Sequence, residues 1–219
     1  MAAPGIVVIE GDFADWPLEV LKDVVRRAER CGVETVVLTD RIAPAGGGDG
    51  WPDALILIGW LATATDRIKL VGKVSSLGHQ PYNLARRLAS LSLISRGRTG
   101  WLIAGDGVED AFSAFSGQVR LAGIDLAARE REFETVVTGL WQSWDAGALV
   151  LDREGARFFR PQSMHTLDHE GEHFSVRGPL NVMRAASGEP ILLRESDVAD
   201  AVTVDTPQAA LALFGEANP

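Results

Sequence analysis

Through the first half of the chain, four short apolar runs alternate with helical stretches, and this rhythm constrains the fold more than any other feature. Ile6–Val7–Val8–Ile9, Val33 to Thr39, Ile68 to Val74 and Thr99 to Ala104 are rich in β-branched or other apolar side chains, as strands buried on both faces are. Between the first two, Trp16 to Arg30 sets Leu18, Leu21, Val24, Val25 and Ala28 on one helical face and Lys22, Asp23, Arg26, Arg27 and Glu29 on the other. Cys31–Gly32 supplies the stop. Asp53 to Thr65 and Tyr82 to Ser95 read as the next two helices. Strands and helices that alternate at this pace predict right-handed crossovers onto a parallel sheet, an α/β architecture.

The second half breaks the rhythm. Gly105 to Gly123 has no clear period, and Leu126 to Trp144 then resumes as a long amphipathic helix. Residues 148–182 are rich in Gly, Arg, His and aromatic side chains, with short alternating runs such as His173–Phe174–Ser175–Val176 that suit a β-hairpin insertion. Ile191–Leu192–Leu193 reads as a fifth strand and Ala201 to Asp205 as a sixth, but Arg194 to Asp200 is shorter than the dozen or so residues a parallel crossover needs. The two strands therefore cannot be neighbours. The sheet is expected to be open, or closed differently from an eight-stranded barrel, with the divergent segment 194–219 leaving it, pairing antiparallel at an edge or docking on another subunit. Thr206–Pro207 caps a last helix, Gln208 to Gly215.

At 219 residues and 46% hydrophobic, the chain reads as a single domain over 1–219 with a sizeable core. A complete barrel of eight strand–helix units takes roughly 250 residues, so an incomplete or modified TIM-type barrel is expected. The formal net charge of −9 argues against nucleic acid and anionic membrane as partners. The single cysteine, Cys31, cannot form an internal disulfide and reads as a half-buried structural thiol. No apolar run has the pattern of a signal peptide or the length of a membrane span, which points to the cytoplasm.

Two blocks carry a family resemblance. QPYNLARRLASLSLISRGRTGW (80–101) is followed by FETVVTGLWQSWD (133–145), ALVLDREGARFF (148–159), MHTLDHEGEHFSVRGPLNV (164–182) and GEPILL (188–193). In this order they resemble the bacterial-luciferase-like, flavin-dependent monooxygenases of the nitrilotriacetate monooxygenase branch, over about residues 6–193. The resemblance implies reduced FMN supplied by a partner flavin reductase, oxygen activated at the flavin, a small organic substrate, and a homodimer formed through the early helices.

In parallel-barrel enzymes ligands sit at the carboxyl ends of the strands, which singles out Asp12, Asp40–Arg41, Ser75–Ser76, Gly105–Asp106 and Arg194–Glu195. The resemblance places Asp40, Ser75 and Ser76 in a flavin pocket with Trp101 in its wall. His79, just past the third strand, is the candidate catalytic acid–base. Several positions depart from the family pattern. Leu102 stands where a flavin-facing amide is usual, Gly123 and Ala127 replace a His–Tyr pair, and Arg194–Glu195–Ser196–Asp197 replaces a small-residue turn at a helix start. FMN binding is accordingly expected to be weak or absent. The rival reading is a non-catalytic binding or partner-subunit protein derived from such an enzyme. His165, His169 and His173 recur every four residues, but Gly171 interrupts a helix there, so they read as hydrogen-bonding pins for the insertion and no metal site is expected.

Overall fold

Parallel strands buried on both faces need helices on one side and something apolar on the other, and the computed structural model shows how each is met. It describes residues 4–10, 16–39, 52–104 and 125–214. Among these, six strands form one parallel sheet: β1 (Ile6–Ile9), β2 (Thr35–Thr39), β3 (Lys69–Ser75), β4 (Thr99–Ala104), β9 (Ile191–Leu193) and β10 (Val202–Val204). Their spatial order is β10-β1-β2-β3-β4-β9. Helices α1 (Leu18–Cys31), α2 (Ala54–Ala62), α3 (Pro81–Ser95), α4 (Leu126–Trp141) and α5 (Pro207–Phe214) complete the frame. Residues 148–182 hold two small antiparallel pairs, β5 (Leu149–Asp152) with β6 (Arg157–Phe159) and β7 (His169–Glu170) with β8 (Ser175–Val176).

Alternate residues separate the two faces of the sheet. Val7, Ile9, Val36, Leu38, Leu70, Val74, Trp101 and Ile103 face the helices and join the main core with Leu21, Val24, Leu84, Leu88, Phe133 and Val137. Val8, Val37, Val71 and Leu102 form a separate inner cluster, against which Ile191, Leu193, Val198 and Ala201 pack. Gly100 permits the last pairing: a Cβ there would lie 2.3 Å from the Ile191 carbonyl oxygen, so a larger residue would push β9 away from β4.

The fifth and sixth strands stand at opposite edges, as the short connection requires. The carboxyl-terminal segment does not leave the sheet or pair antiparallel. Instead β10 pairs parallel with β1, Val7 opposite Val202 and Ile9 opposite Val204. Six strands about 4.8 Å apart put the outer two about 24 Å from each other if flat, and eight linking residues reach at most about 27 Å. The link can also return from the carboxyl end of one strand to the amino end of the other only if the sheet curls. It crosses the inner face, through a 3-10 turn at Glu195–Val198, and its Val198 and Ala201 cover the apolar floor that a longer barrel would close with further strands. The segment then feeds α5, which packs on α1, with Thr206 Oγ1 accepting from Ala209 N at 3.3 Å. Cys31 is exposed rather than half-buried, its thiol donating to the Phe214 carbonyl at 3.6 Å.

Two polar devices hold the amino-terminal side of the sheet. Glu29 on α1 accepts the N–H groups of Asp66, Arg67 and Ile68 at 3.0, 2.6 and 2.9 Å and thereby fixes the entry to β3. Arg98, just before β4, donates to Ala62 O, Thr65 O, Thr65 Oγ1 and Ile68 O, satisfying carbonyls at and beyond the end of α2.

Candidate functional site

The carboxyl ends of the strands gather polar groups on the inner face above the apolar floor. Thr39 Oγ1 donates to Glu10 Oε1 at 3.5 Å across β1 and β2, and Lys73 stands on the same face of the adjacent β3. β3 ends in Ser75, whose Oγ accepts from Leu77 N at 3.2 Å and so starts the 3-10 turn Ser76–Gly78. Ser76 is buried at 4% exposure. The first turns of α4 meet it there: Arg129 Nη1 lies 3.5 Å from both the carbonyl oxygen and the Oγ of Ser76. The Arg129 guanidinium in turn lies over the Phe174 ring, 4.8 Å from its centroid.

One turn along α4, Glu132 ties the histidine-rich hairpin into this region. Its Oε1 contacts His169 Nε2 at 3.0 Å and accepts Phe174 N at 2.8 Å, and its Oε2 accepts His173 N at 3.0 Å. Burial pushes the Glu132 carboxyl up, but these hydrogen bonds outweigh it and hold the group below the usual carboxylate range. Phe174 then stacks edge-on against Phe133, and Phe133 against Trp101, with ring centroids 5.5 and 5.7 Å apart. His165 contacts Asp145 Oδ1 at 2.9 Å on the surface. The rings of His165 and His169 thus pin two separate places, whereas His173 binds Glu132 only through its backbone and its buried Nε2 has no hydrogen-bond partner among the described residues, where no group of three or more His, Cys, Asp or Glu side chains comes together for a metal.

The predicted site residues fall into separate environments. Ser75 and Ser76 stand at the carboxyl end of β3 as the ligand-binding rule requires, whereas Asp40, with Asp12, Arg41, Gly105, Asp106 and Gly123, lies outside the described residues. Trp101 faces the helices, has no exposed surface, and donates its Nε1–H to Val74 O at 3.0 Å. The alternation along β4 that turns Trp101 outward turns Leu102 inward, where it is 1% exposed beneath the cluster that includes Val198.

His79 lies elsewhere again. It lines a cavity of about 590 Å³ between α2 and α3 with Gln80, Asn83, Arg86, Arg87 and Leu55, and that lining includes neither Ser75 nor Ser76. Burial pushes its imidazole below the ordinary value and Arg87 adds to this, partly offset by Asp53. Arg87 is itself paired with Asp53, which caps α2 by accepting Leu55 N at 2.8 Å. A neutral imidazole can accept a proton here, but at the flank of the sheet rather than at its strand ends.

Sequence reasoning did not single out Arg129 and Glu132. Both belong to AAREREFE, which reads as the solvated face of an amphipathic helix. The only available signal was that an oppositely charged pair three apart borders the apolar Phe133.

Comparison with known proteins gives this arrangement a family. The luciferase-like monooxygenase family matches residues 10–200. N-acetyl-S-(2-succino)cysteine monooxygenase of Bacillus subtilis (strain 168) is 34% identical over 193 residues, covering 85% of this chain and 43% of that protein. Nitrilotriacetate monooxygenase component A of Aminobacter aminovorans is 34% identical over 194 residues, covering 81% of this chain and 43% of its own length. Among solved structures, a riboflavin lyase with modified FMN and riboflavin superposes with a TM-score of 0.75 at 25% identity, over 87% of this chain and 49% of that one. The chain spans about half the length of the relatives it matches. It belongs to the luciferase-like monooxygenase family.

Proposed function

We propose that the protein works as a flavin-dependent monooxygenase of this family, oxidising a small organic substrate with reduced FMN delivered by a separate flavin reductase. The observation that carries the reading is the meeting of Arg129 with Ser76 just past the carboxyl end of β3, in a chain whose family match runs through both β3 and α4. The described residues fit an anionic tail better than a flavin ring: Ser76 and Arg129 offer donors to a phosphate, while Leu102 offers the ring edge no hydrogen bond. When bound, reduced FMN supplies two electrons, so that one atom of O2 enters the substrate and the other leaves as water. The chain's own part is to hold the ligands and exclude water. His79 lines the separate α2–α3 cavity, away from Ser76 and Arg129, and takes no part in this reading.

Family members described as a component A and as enzymes of bound flavin motivate the reductase partner and the cofactor. Exposed Ile56 on α2 and Leu93 and Ile94 on α3 motivate a homodimer through these helices. No helix among the described residues is long and apolar enough to cross a membrane.

One feature favours the rival, a non-catalytic binding or partner-subunit protein. The 194–201 link and Leu102 fill the inner face of the sheet with apolar side chains. Anaerobic titration separates the readings. The monooxygenase reading expects saturable binding of reduced FMN, tighter than that of oxidised FMN. Failure of reduced FMN to bind below about 1 mM, equivalent to roughly 4 kcal/mol, would establish the rival.

A further inference from the structure

Among the described residues Arg129 is a cation with no ion-pair partner. Its half-buried guanidinium is fixed over Phe174 at 4.8 Å, and its only described hydrogen-bond contacts are the two 3.5 Å approaches to Ser76, at the limit of hydrogen bonding. No carboxylate among the described residues forms an ion pair with it. Glu132, three residues along the same helix, is turned to the hairpin, where it binds His169 Nε2 and the N–H groups of His173 and Phe174. A guanidinium presents five donors in a planar fork, and desolvating it with no partner is unfavourable unless an anion completes the site. Burial does push its pKa down, with Glu130 and Glu132 acting in the opposite sense. In a chain of net charge −9, a positive group held at the ligand end of a parallel sheet selects for one kind of group.

We propose that Arg129 and the hydroxyl of Ser76 form an oxyanion-binding site that takes the phosphate or carboxylate of a small-molecule ligand. The geometry assigns each part. The Phe174 ring holds the guanidinium in place by a contact of 4.8 Å, and the fork of a guanidinium suits an oxyanion. Because Glu132 anchors both the hairpin that carries Phe174 and the turn of helix next to Arg129, the site forms only when the 169–174 segment is docked on α4. This inference deepens the proposed function by naming the ligand group, yet it can be tested without flavin.

The test is titration of the full chain with inorganic phosphate and with succinate, followed by calorimetry and by the Arg129 side-chain Nε–H resonance, in the native protein and in Arg129→Met and Arg129→Lys. The site predicts saturable binding of at least one anion that moves the Arg129 resonance, a loss of tenfold or more in Arg129→Met, and partial recovery in Arg129→Lys, which keeps the charge without the fork. Thermal melting of both variants separates a binding defect from unfolding. Parallel titrations with FMN and riboflavin identify the source. An Arg129→Met effect on FMN but not riboflavin assigns the anion to the flavin phosphate, and an effect on succinate with FMN unchanged assigns it to a substrate carboxylate. Equal affinities in native and Arg129→Met proteins, or no binding of any of these anions below about 10 mM, would overturn the proposal. Anion binding without reduced-FMN binding would leave this site standing while removing the monooxygenase reading.

Discussion

His169 Nε2 and Glu132 Oε1, 37 residues apart in sequence, meet at 3.0 Å, and this contact docks the histidine-rich hairpin on α4. Glu132 also accepts two backbone N–H groups from the hairpin, so its loss would strand buried donors at about 1–3 kcal/mol each. Glu132→Ala is therefore expected to lower stability by about 3 kcal/mol and to raise hydrogen exchange at His173 and Phe174. The sign with pH follows from the carboxyl's position below its ordinary range. Its stabilising contribution is complete above the unfolded-state value and disappears as pH falls through the folded value, so the native protein should lose stability on acidification more steeply than Glu132→Ala. Denaturant unfolding at neutral and acid pH checks both statements; parallel pH profiles for the two proteins would contradict them.

The His79 imidazole should titrate below the ordinary histidine value of about 6.5, since burial and Arg87 both disfavour its protonated form. Arg87→Met is expected to raise it, because that substitution removes the nearby positive charge and frees Asp53 to favour the imidazolium. Histidine ring resonances followed across pH give both values. A wild-type His79 that titrates at or above the ordinary value would show that the α2–α3 cavity is wetter than its packing implies.

Gly100→Ala places a methyl group in the space of the Ile191 carbonyl, and overpacking of that kind costs about 1–3 kcal/mol. Melting should shift downward, with loss of protection at Ile191 to Leu193 while β1 to β3 stay protected. A uniform loss across the sheet would mean that β9 is not the marginal edge strand it is taken to be here.

Light scattering across a dilution series should report twice the 23.5 kDa chain mass, and Ile94→Glu should shift the particle toward a single chain, because Ile94 is 63% exposed on the face offered by α3. A native particle of one chain mass at high concentration would remove the dimer.

The strands and helices of the first half were legible because β-branched runs and helical periodicity mark them directly. Which way a residue points within a fully buried strand is not marked in that way. Trp101 and Leu102 are both apolar, so only the register against β3 shows that the tryptophan faces the helices and the leucine faces inward. Likewise, counting residues 194–200 excluded β9 and β10 as neighbours, but the choice of β1 as the partner of β10 depends on how far the whole sheet curls. At the site, Ser75 and Ser76 could be found because a strand ends there. Arg129 could not, since its role arises from Phe174, 45 residues away in sequence, and from the carboxylate beside it being already engaged.

Oxidised FMN should bind with a dissociation constant above about 1 μM, since buried Leu102 provides no hydrogen bond to the ring and Ala127 no side-chain contact. Flavin fluorescence titration measures this directly, and tighter binding would require polar contacts from residues outside those described.

The most direct measurement of where ligands act is a crystal structure of the full chain grown at saturating FMN. The account predicts flavin at the carboxyl end of β3, with its phosphate or the competing anion on Arg129 and Ser76. Flavin bound instead in the α2–α3 cavity beside His79 and Arg86, with Arg129 uncontacted, would contradict it.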